Sequence, residues 1–249
     1  MGQEAYGFLA QIYDDLMEQV DYTEWADFVM QMVEEQGDLP KNILELGCGT
    51  GNITKELLQR DYEVVGVDIS EEMLELAREK TSEFGKNIIL IQQDITEMDF
   101  DIYEIDCIIA CNDTFNYIID KDALRSALRY LYPRMKKGGQ LVFDISSEYK
   151  LQNILGNHVF GESFEDFAYL WENFYDENEK LAEMLINIFS REEELYRRDT
   201  EIHYQRAYGE EEIIQLLKEA GFQNIKTYAD FEMKTPNEKS ERIFFSCVK

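Results

Sequence analysis

Apolar and polar positions along this chain change period in a regular order, and the changes predict its elements. Tyr6, Leu9, Tyr13, Leu16 and Val20 recur at helical spacing and predict an N-terminal amphipathic helix. A second helix is predicted with Thr23 as its N-cap and Trp25, Phe28, Val29, Met32 and Val33 facing inward; Gly37 and Pro40 end it. Short apolar runs then alternate with helical patterns. The runs lie near 42–46, 63–67, 88–92, 105–111 and 139–145, and the helices near 51–60, 70–84 and 121–135. Ser70 caps the second of these helices, with Glu71 and Glu72 favourably placed in its first turn. Strand–helix alternation of this kind predicts a parallel sheet covered on both faces, an α/β fold.

After Ser147 the pattern switches to period two. The aromatic-rich segments 164–175 and 181–189 flank a polar turn at 176–180, and 200–208 is a third strand candidate. In that third segment Glu201, His203 and Gln205 alternate with Ile202, Tyr204 and Arg206. The helical pattern resumes at 210–220, with Gly221 as C-cap, and strands follow near 223–230 and 242–248. The expected organisation is one domain formed by 1–148 and 209–249. It is interrupted by an antiparallel β insertion, 149–208, that covers a pocket mouth.

Composition narrows the function classes. A chain of 249 residues that is 45% hydrophobic can build a sizeable core. Its net charge of −28 excludes DNA and argues against RNA, because phosphate backbones are bound by clustered Lys and Arg, and no basic stripe appears. An acidic surface could attract an amine, but it also serves plain solubility. The four cysteines lack metal or redox spacing and are expected reduced and mostly buried. His158 and His203 are too isolated to suggest a metal site. No apolar run reaches the roughly 18 residues of a membrane span, and no leader pattern is visible, so a cytoplasmic protein without a membrane partner is expected. A monomer or homodimer is expected.

The chemistry concentrates in Ile43-Leu44-Glu45-Leu46-Gly47-Cys48-Gly49-Thr50-Gly51-Asn52. An apolar strand ends in an acid, a G-x-G-x-G turn follows, and a helix begins. A second strand, Val64-Val65-Gly66-Val67, ends in Asp68, a carboxylate suited to both hydroxyls of a ribose. A dinucleotide fingerprint would be G-x-G-x-x-G, but Asn52 stands where its third glycine belongs. Glu45, ahead of the turn, would repel a pyrophosphate and suit a cationic ligand.

This pattern resembles motif I of the class I S-adenosylmethionine-dependent methyltransferases, and the resemblance runs over about residues 40–147. It includes the ribose strand 64–70, Ile91-Gln92-Gln93-Asp94-Ile95 at the adenine end, a fourth strand from Asp106 to Asn112, and Lys137-Gly138-Gly139 opening the fifth. The resemblance implies a Rossmann-like, doubly wound, mostly parallel seven-stranded sheet. The last two strands would form an antiparallel hairpin at its edge, alongside N-terminal helices and the small antiparallel insertion. It implies S-adenosylmethionine as cofactor, held by Glu45, Gly47, Cys48, Gly49, Gly51, Asp68, Ile69, Asp94, Ile95 and Asn112. The loop Asn112-Asp113-Thr114-Phe115-Asn116-Tyr117 and the pair Tyr13-Asp14 are similar to those of a small bacterial branch of the family.

By that likeness Tyr13, Asp113 and Asn116 are the catalytic candidates. Tyr13 could face the sulfonium through its ring, steer the substrate through its hydroxyl, or simply pack in the core; Asp113 and Asn116 could orient an amine or only cap a turn. Tyr117, Tyr169, Trp171, Tyr204 and Arg206 are candidates for the acceptor pocket, with Tyr204 and Arg206 on one strand face and His203 on the other. The expected reaction is methyl transfer to a small or medium-sized acceptor, with an amine first. The alternatives are a protein or RNA target, a nucleotide-dependent oxidoreductase, or a non-catalytic cofactor-binding module.

Overall fold

The computed structural model describes residues 9–249, so Tyr6 lies outside the described residues. Helix α1 (Leu9–Leu16) and helix α2 (Tyr22–Gln36) precede the sheet. The cap of α2 is Asp21 rather than Thr23: its carboxylate accepts the Glu24 N–H at 2.9 Å. An acid two positions before the predicted cap satisfies an orphan N–H of the first turn and starts the helix earlier.

Next come β1 (Asn42–Leu46), α3 (Asn52–Gln59), β2 (Glu63–Asp68), α4 (Glu71–Lys80), β3 (Ile88–Gln92), β4 (Ile105–Ala110), α5 (Lys121–Leu131) and β5 (Met135–Ser146). Helix α4 stops at Lys80, short of the expected 84; a tight turn through Gly85 (φ 58°) follows. Pro133 likewise ends α5 early, and β5 starts at Met135.

The insertion contains one π-helical turn (Lys150–Leu155) and strands β6 (Val159–Ser163), β7 (Phe167–Asp176), β8 (Leu181–Glu192) and β9 (Leu195–Arg206). The chain closes with α6 (Glu210–Ala220), β10 (Gln223–Ala229) and β11 (Arg242–Val248).

The main sheet has seven strands in the order β10-β11-β5-β4-β1-β2-β3. The pairs from β5 to β3 are parallel; β11 runs antiparallel to both β5 and β10. One face packs Leu44, Ile108, Leu141 and Phe143 against α5 and α6. The other packs Ile43, Ile109 and Val142 against α2 and α3. Burial on both faces explains why these strands read as unbroken apolar runs. Among the described residues no helix is long and apolar enough to cross a membrane.

The second sheet is antiparallel, in the order β6-β7-β8-β9. Ala182, Met184, Ile186 and Ile188 of β8 are buried on its inner face, and Phe167, Ile186 and Ile188 meet Leu9 and Ile12 of α1 there. Each of the Leu, Ile, Met and Phe side chains contributes roughly 1.5–3 kcal/mol. On β9 the inner face is the polar one. Glu201, His203 and Gln205 are buried, whereas Ile202 (41%) and Tyr204 (39%) are exposed. The reason is local. The Glu201 carboxylate accepts the Leu9 N–H at 2.8 Å and meets His203 Nε2 at 3.0 Å, and Gln205 Nε2 donates to Asp113 Oδ2 at 2.5 Å. Buried polar groups are tolerated when so paired.

Candidate active site

The turn after β1 is built by the strand ends beneath it. Gly47 and Cys48 both donate backbone N–H groups to the Val67 carbonyl, at 2.7 and 3.1 Å, which folds the turn over the end of β2. Asp68 then closes it: Oδ2 accepts the Gly49 N–H at 2.8 Å and Oδ1 the Ser70 N–H at 3.0 Å. Gly47 has φ +68°, and a Cβ there would lie 2.5 Å from Thr114 Oγ1. Only glycine fits that close approach.

Two carboxylates sit side by side at this end. Glu45 is buried and accepts a 2.5 Å hydrogen bond from Thr54 Oγ1. Burial, with the Asp68 charge adding to it, pushes the Glu45 carboxyl up to about 8 against the pull of Thr54. Burial also raises Asp68, opposed by its backbone hydrogen bonds. No basic group is among the influences on either acid. Paired buried acids without a cation form a site prepared for a cationic ligand bearing hydroxyls.

These residues line a cavity of about 910 Å³ that extends from β1–β3 to the insertion. Around its first half lie Glu45, Gly47, Cys48, Gly49, Asp68, Ile69, Asp94, Ile95 and Asn112. Asp94 turns its carboxylate onto the Thr96 N–H and hydroxyl, both at 2.7 Å, and so shapes the loop after β3. Gly51 does not reach the cavity; its φ is +79°, and it brings the start of α3 onto Ala77 of α4.

The second half is walled by Leu155, Tyr169, Trp171, Met184 and Ile186 from the insertion and by Leu9, Tyr13, Leu16 and Met17 from the N-terminal segment. Tyr13 lines it, and burial drives its phenol well above the usual range. The neighbouring Asp14 faces the cofactor turn instead. It accepts Thr50 Oγ1 at 2.7 Å, Asn52 Nδ2 at 2.9 Å and Lys80 Nζ at 2.8 Å. Burial opposes its ionisation, but these donors hold its carboxyl below the ordinary value.

Asp113 lies at the polar end. Its oxygens take Arg242 Nη1 at 3.0 Å and Gln205 Nε2 at 2.5 Å, and Arg242 also bonds Asp144. Burial works against its charge, but Arg242, Lys150 and the Gln205 hydrogen bond together outweigh it and keep Asp113 below the ordinary range; Asp144, buried and facing Asp113, is raised. Tyr117 lines the same space with its ring edge-on to His203 at 6.0 Å.

Besides Gly51, three expected site residues lie elsewhere. Asn116 is fully buried and spends its amide on the backbone: Nδ2 donates to the Ser146 carbonyl at 3.1 Å and the Arg206 carbonyl at 2.9 Å, and Oδ1 accepts the Ser146 N–H at 3.0 Å. It joins the points where the chain leaves and re-enters the main sheet, and it does not line the cavity. Tyr204 is on the outer face of β9, and Arg206 turns to Glu212 at 3.1 Å. Both are displaced from the cavity because the polar face of β9 is the inner one.

Gln205, Lys150 and Arg242 line the cavity without having been anticipated. Gln205 was legible as the period-two partner of His203. Arg242 opens β11 opposite Ser146 of β5, two residues past Asp144. Lys150 sits on a π-turn that no sequence pattern announces.

The comparisons agree with this fold. A family model described as a methyltransferase domain matches residues 43–139. YqeM of Bacillus subtilis (strain 168), a protein whose name assigns it to the methyltransferases without giving an acceptor, is 33% identical over 98% of this chain and 97% of its own. The solved S-adenosylmethionine-dependent methyltransferase of Clostridium acetobutylicum ATCC 824 is 36% identical, with a TM-score of 0.86, and covers 98% of this chain and 99% of that one. KedS8, a sugar N-methyltransferase of Streptoalloteichus sp ATCC 53650, has a TM-score of 0.81 over 100% of this chain and 96% of its own; at 18% identity that likeness concerns the fold alone.

The chain belongs to the class I S-adenosylmethionine-dependent methyltransferases. It is a methyltransferase enzyme with S-adenosylmethionine as its cofactor, and the oxidoreductase and non-catalytic readings are set aside.

Proposed function

We propose that this enzyme methylates a small acceptor, and that the acceptor is an amine bound between the loop after β4 and the insertion. The observation that carries the reading is the cavity itself. Ligand pockets run from about 300 to 1,000 Å³. At about 910 Å³ the cavity has room for a nucleoside cofactor and a small second molecule under one roof. A docked macromolecule would need an open strip rather than a space covered by α1 and the four-stranded sheet.

Glu45 and Asp68 suit the amino end and the ribose of the cofactor, with Ile69, Asp94 and Ile95 at the base and Gly47, Cys48, Gly49 and Asn112 around the middle. When bound, S-adenosylmethionine supplies an electrophilic methyl group on a cationic sulfur. The chain's own residues then have to place a lone pair in line and keep water out. Tyr169, Trp171, Met184 and Ile186 provide apolar walls for that purpose. Asp113, held charged by Arg242, Lys150 and Gln205 together and retaining free lone pairs, can accept a hydrogen bond from an amine N–H and orient it, with Tyr13 and Tyr117 lining the same space. KedS8, by its name an N-methyltransferase of sugars, offers an amine precedent on this fold.

The test is incubation of the enzyme and methyl-tritiated S-adenosylmethionine with a bacterial extract, followed by separation by size. An Asp68→Ala variant and an enzyme-free blank serve as controls. Enzyme-dependent label in the small-molecule fraction is expected, on nitrogen. Label confined to protein or RNA would overturn the small-acceptor reading.

A further inference from the structure

The acceptor end of the cavity holds a second charge of opposite sign to Asp113. Lys150 follows β5 directly, opens the π-helical turn Lys150–Leu155, and lines the cavity with Ser146, Leu155 and Gln205. Its backbone is held by the Ser147 hydroxyl, which accepts the Lys150 N–H at 3.0 Å. π-turns of this kind recur at functional sites.

The ammonium of Lys150 makes no hydrogen bond or ion pair among the described residues. Asp113 and Asp144 are already engaged. Arg242 bridges Asp113 and Asp144, Gln205 takes the second oxygen of Asp113, and the backbone N–H groups of Asn112 and Asp113 take Asp144 at 2.8 and 2.9 Å. Burial and Arg242 lower the Lys150 ammonium, while Asp113, Asp144 and Glu241 pull the other way. If Lys150 served only to balance the two aspartates against Arg242, the attraction would draw its Nζ onto a carboxylate. It lines the cavity instead, within reach of the charges of Asp113, Asp144 and Glu241 but bonded to none of them among the described residues.

We propose that Lys150 receives an anionic group of the acceptor, a carboxylate, so that the acceptor carries a nucleophile toward Asp113 and a negative charge toward the π-turn. The acceptor class is then amino-acid-like: an amine and a carboxylate on an apolar or aromatic body that fills the space beside Tyr169 and Trp171. This rests on the reading that a small molecule occupies this half of the cavity.

The experiment uses three acids, phenylacetate, 3-phenylpropionate and indole-3-propionate, each against its uncharged amide. Each is titrated by calorimetry into full-length enzyme saturated with S-adenosylhomocysteine. At least one acid should bind wild type about tenfold more tightly than its amide or better. Lys150→Met should abolish the preference, and Lys150→Arg should restore part of it. S-Adenosylhomocysteine affinity, measured first on every variant, reports the fold and the cofactor site separately.

Equal binding of acids and amides by wild type, failure of all three acids to bind, or a preference that survives in Lys150→Met would each overturn the proposal. A Lys150-dependent preference together with tritium found only in macromolecules would remove the small-acceptor reading and leave the anion site standing.

Discussion

The hydroxyl of Tyr13 accepts a 3.0 Å hydrogen bond from Asn112 Nδ2, across 99 residues of chain. It ties α1 to the end of β4, between the two halves of the cavity. The same helix is anchored to the cofactor turn through Asp14 and to the insertion through the Leu9 N–H. One short helix therefore joins all three walls.

Removing that bond should loosen the helix without unfolding the protein. A neutral hydrogen bond contributes about 1 kcal/mol net, or about fivefold in an equilibrium. In Tyr13→Phe, hydrogen exchange of the Leu9–Leu16 amides should rise by about that factor, with the global urea midpoint unchanged. Unaltered exchange would mean that Asp14 and Glu201 hold α1 without Tyr13.

Glu45 makes the stability of the ligand-free enzyme depend on pH in an unusual direction. Its folded-state value, about 8, lies above the ordinary 4.5, so the native state holds a proton that the unfolded chain has released. The stabilisation is complete below about pH 4.5 and is lost as pH rises through about 8, by at most about 1.4 kcal/mol per pH unit. Glu45→Gln carries no such proton. Thermal unfolding from pH 5 to 8 should show wild type losing ground to the variant; parallel curves would place the Glu45 value near that of a free carboxyl.

Asn116 should prove structural. Its three hydrogen bonds, at about 1 kcal/mol each, predict a loss of about 3 kcal/mol in Asn116→Ala by urea unfolding. The folded fraction should still bind S-adenosylhomocysteine at close to wild-type affinity. A large drop in affinity with intact stability would return Asn116 to the site.

Gly47→Ala should damage the cofactor turn twice over. The new methyl would meet Thr114 Oγ1 at 2.5 Å and Cγ2 at 2.6 Å, and φ +68° costs a side-chain-bearing residue roughly 1–2 kcal/mol by itself. The double variant with Thr114→Ala removes the contact but not the dihedral cost. Calorimetry with S-adenosylhomocysteine should show partial recovery; full recovery would show the backbone to be more pliant than its hydrogen bonds to Val67 suggest.

Much of the main sheet was legible because its strands are buried on both faces and end at glycines or acids. Asn42–Leu46 coincides with the expected run, and Glu63–Asp68 ends on its expected acid. The cofactor turn was legible for the same reason: close backbone approaches require particular residues. The insertion was harder. Val159–Ser163 is an exposed edge strand with no apolar alternation to reveal it. On β9 the rule that polar positions face water pointed to the wrong side, since Glu201 and Gln205 find their partners on α1 and on Asp113, far away in sequence. Pairings that distant leave no periodic trace, which is also why Lys150 and Arg242 emerged only from the fold.

The clamp made by Asn116 bears on how such an enzyme can change its diet. The stretch from Ser146 to Arg206 departs and returns at points pinned together by one amide, and it carries Tyr169, Trp171, Met184, Ile186, Lys150 and Gln205 with it. The cavity residues on β1, β2 and the loops after β2 and β3, proposed to hold the nucleoside, lie outside that stretch. A lineage could replace this single run of chain, as one exchanges the bit of a drill, and inherit the chuck unaltered.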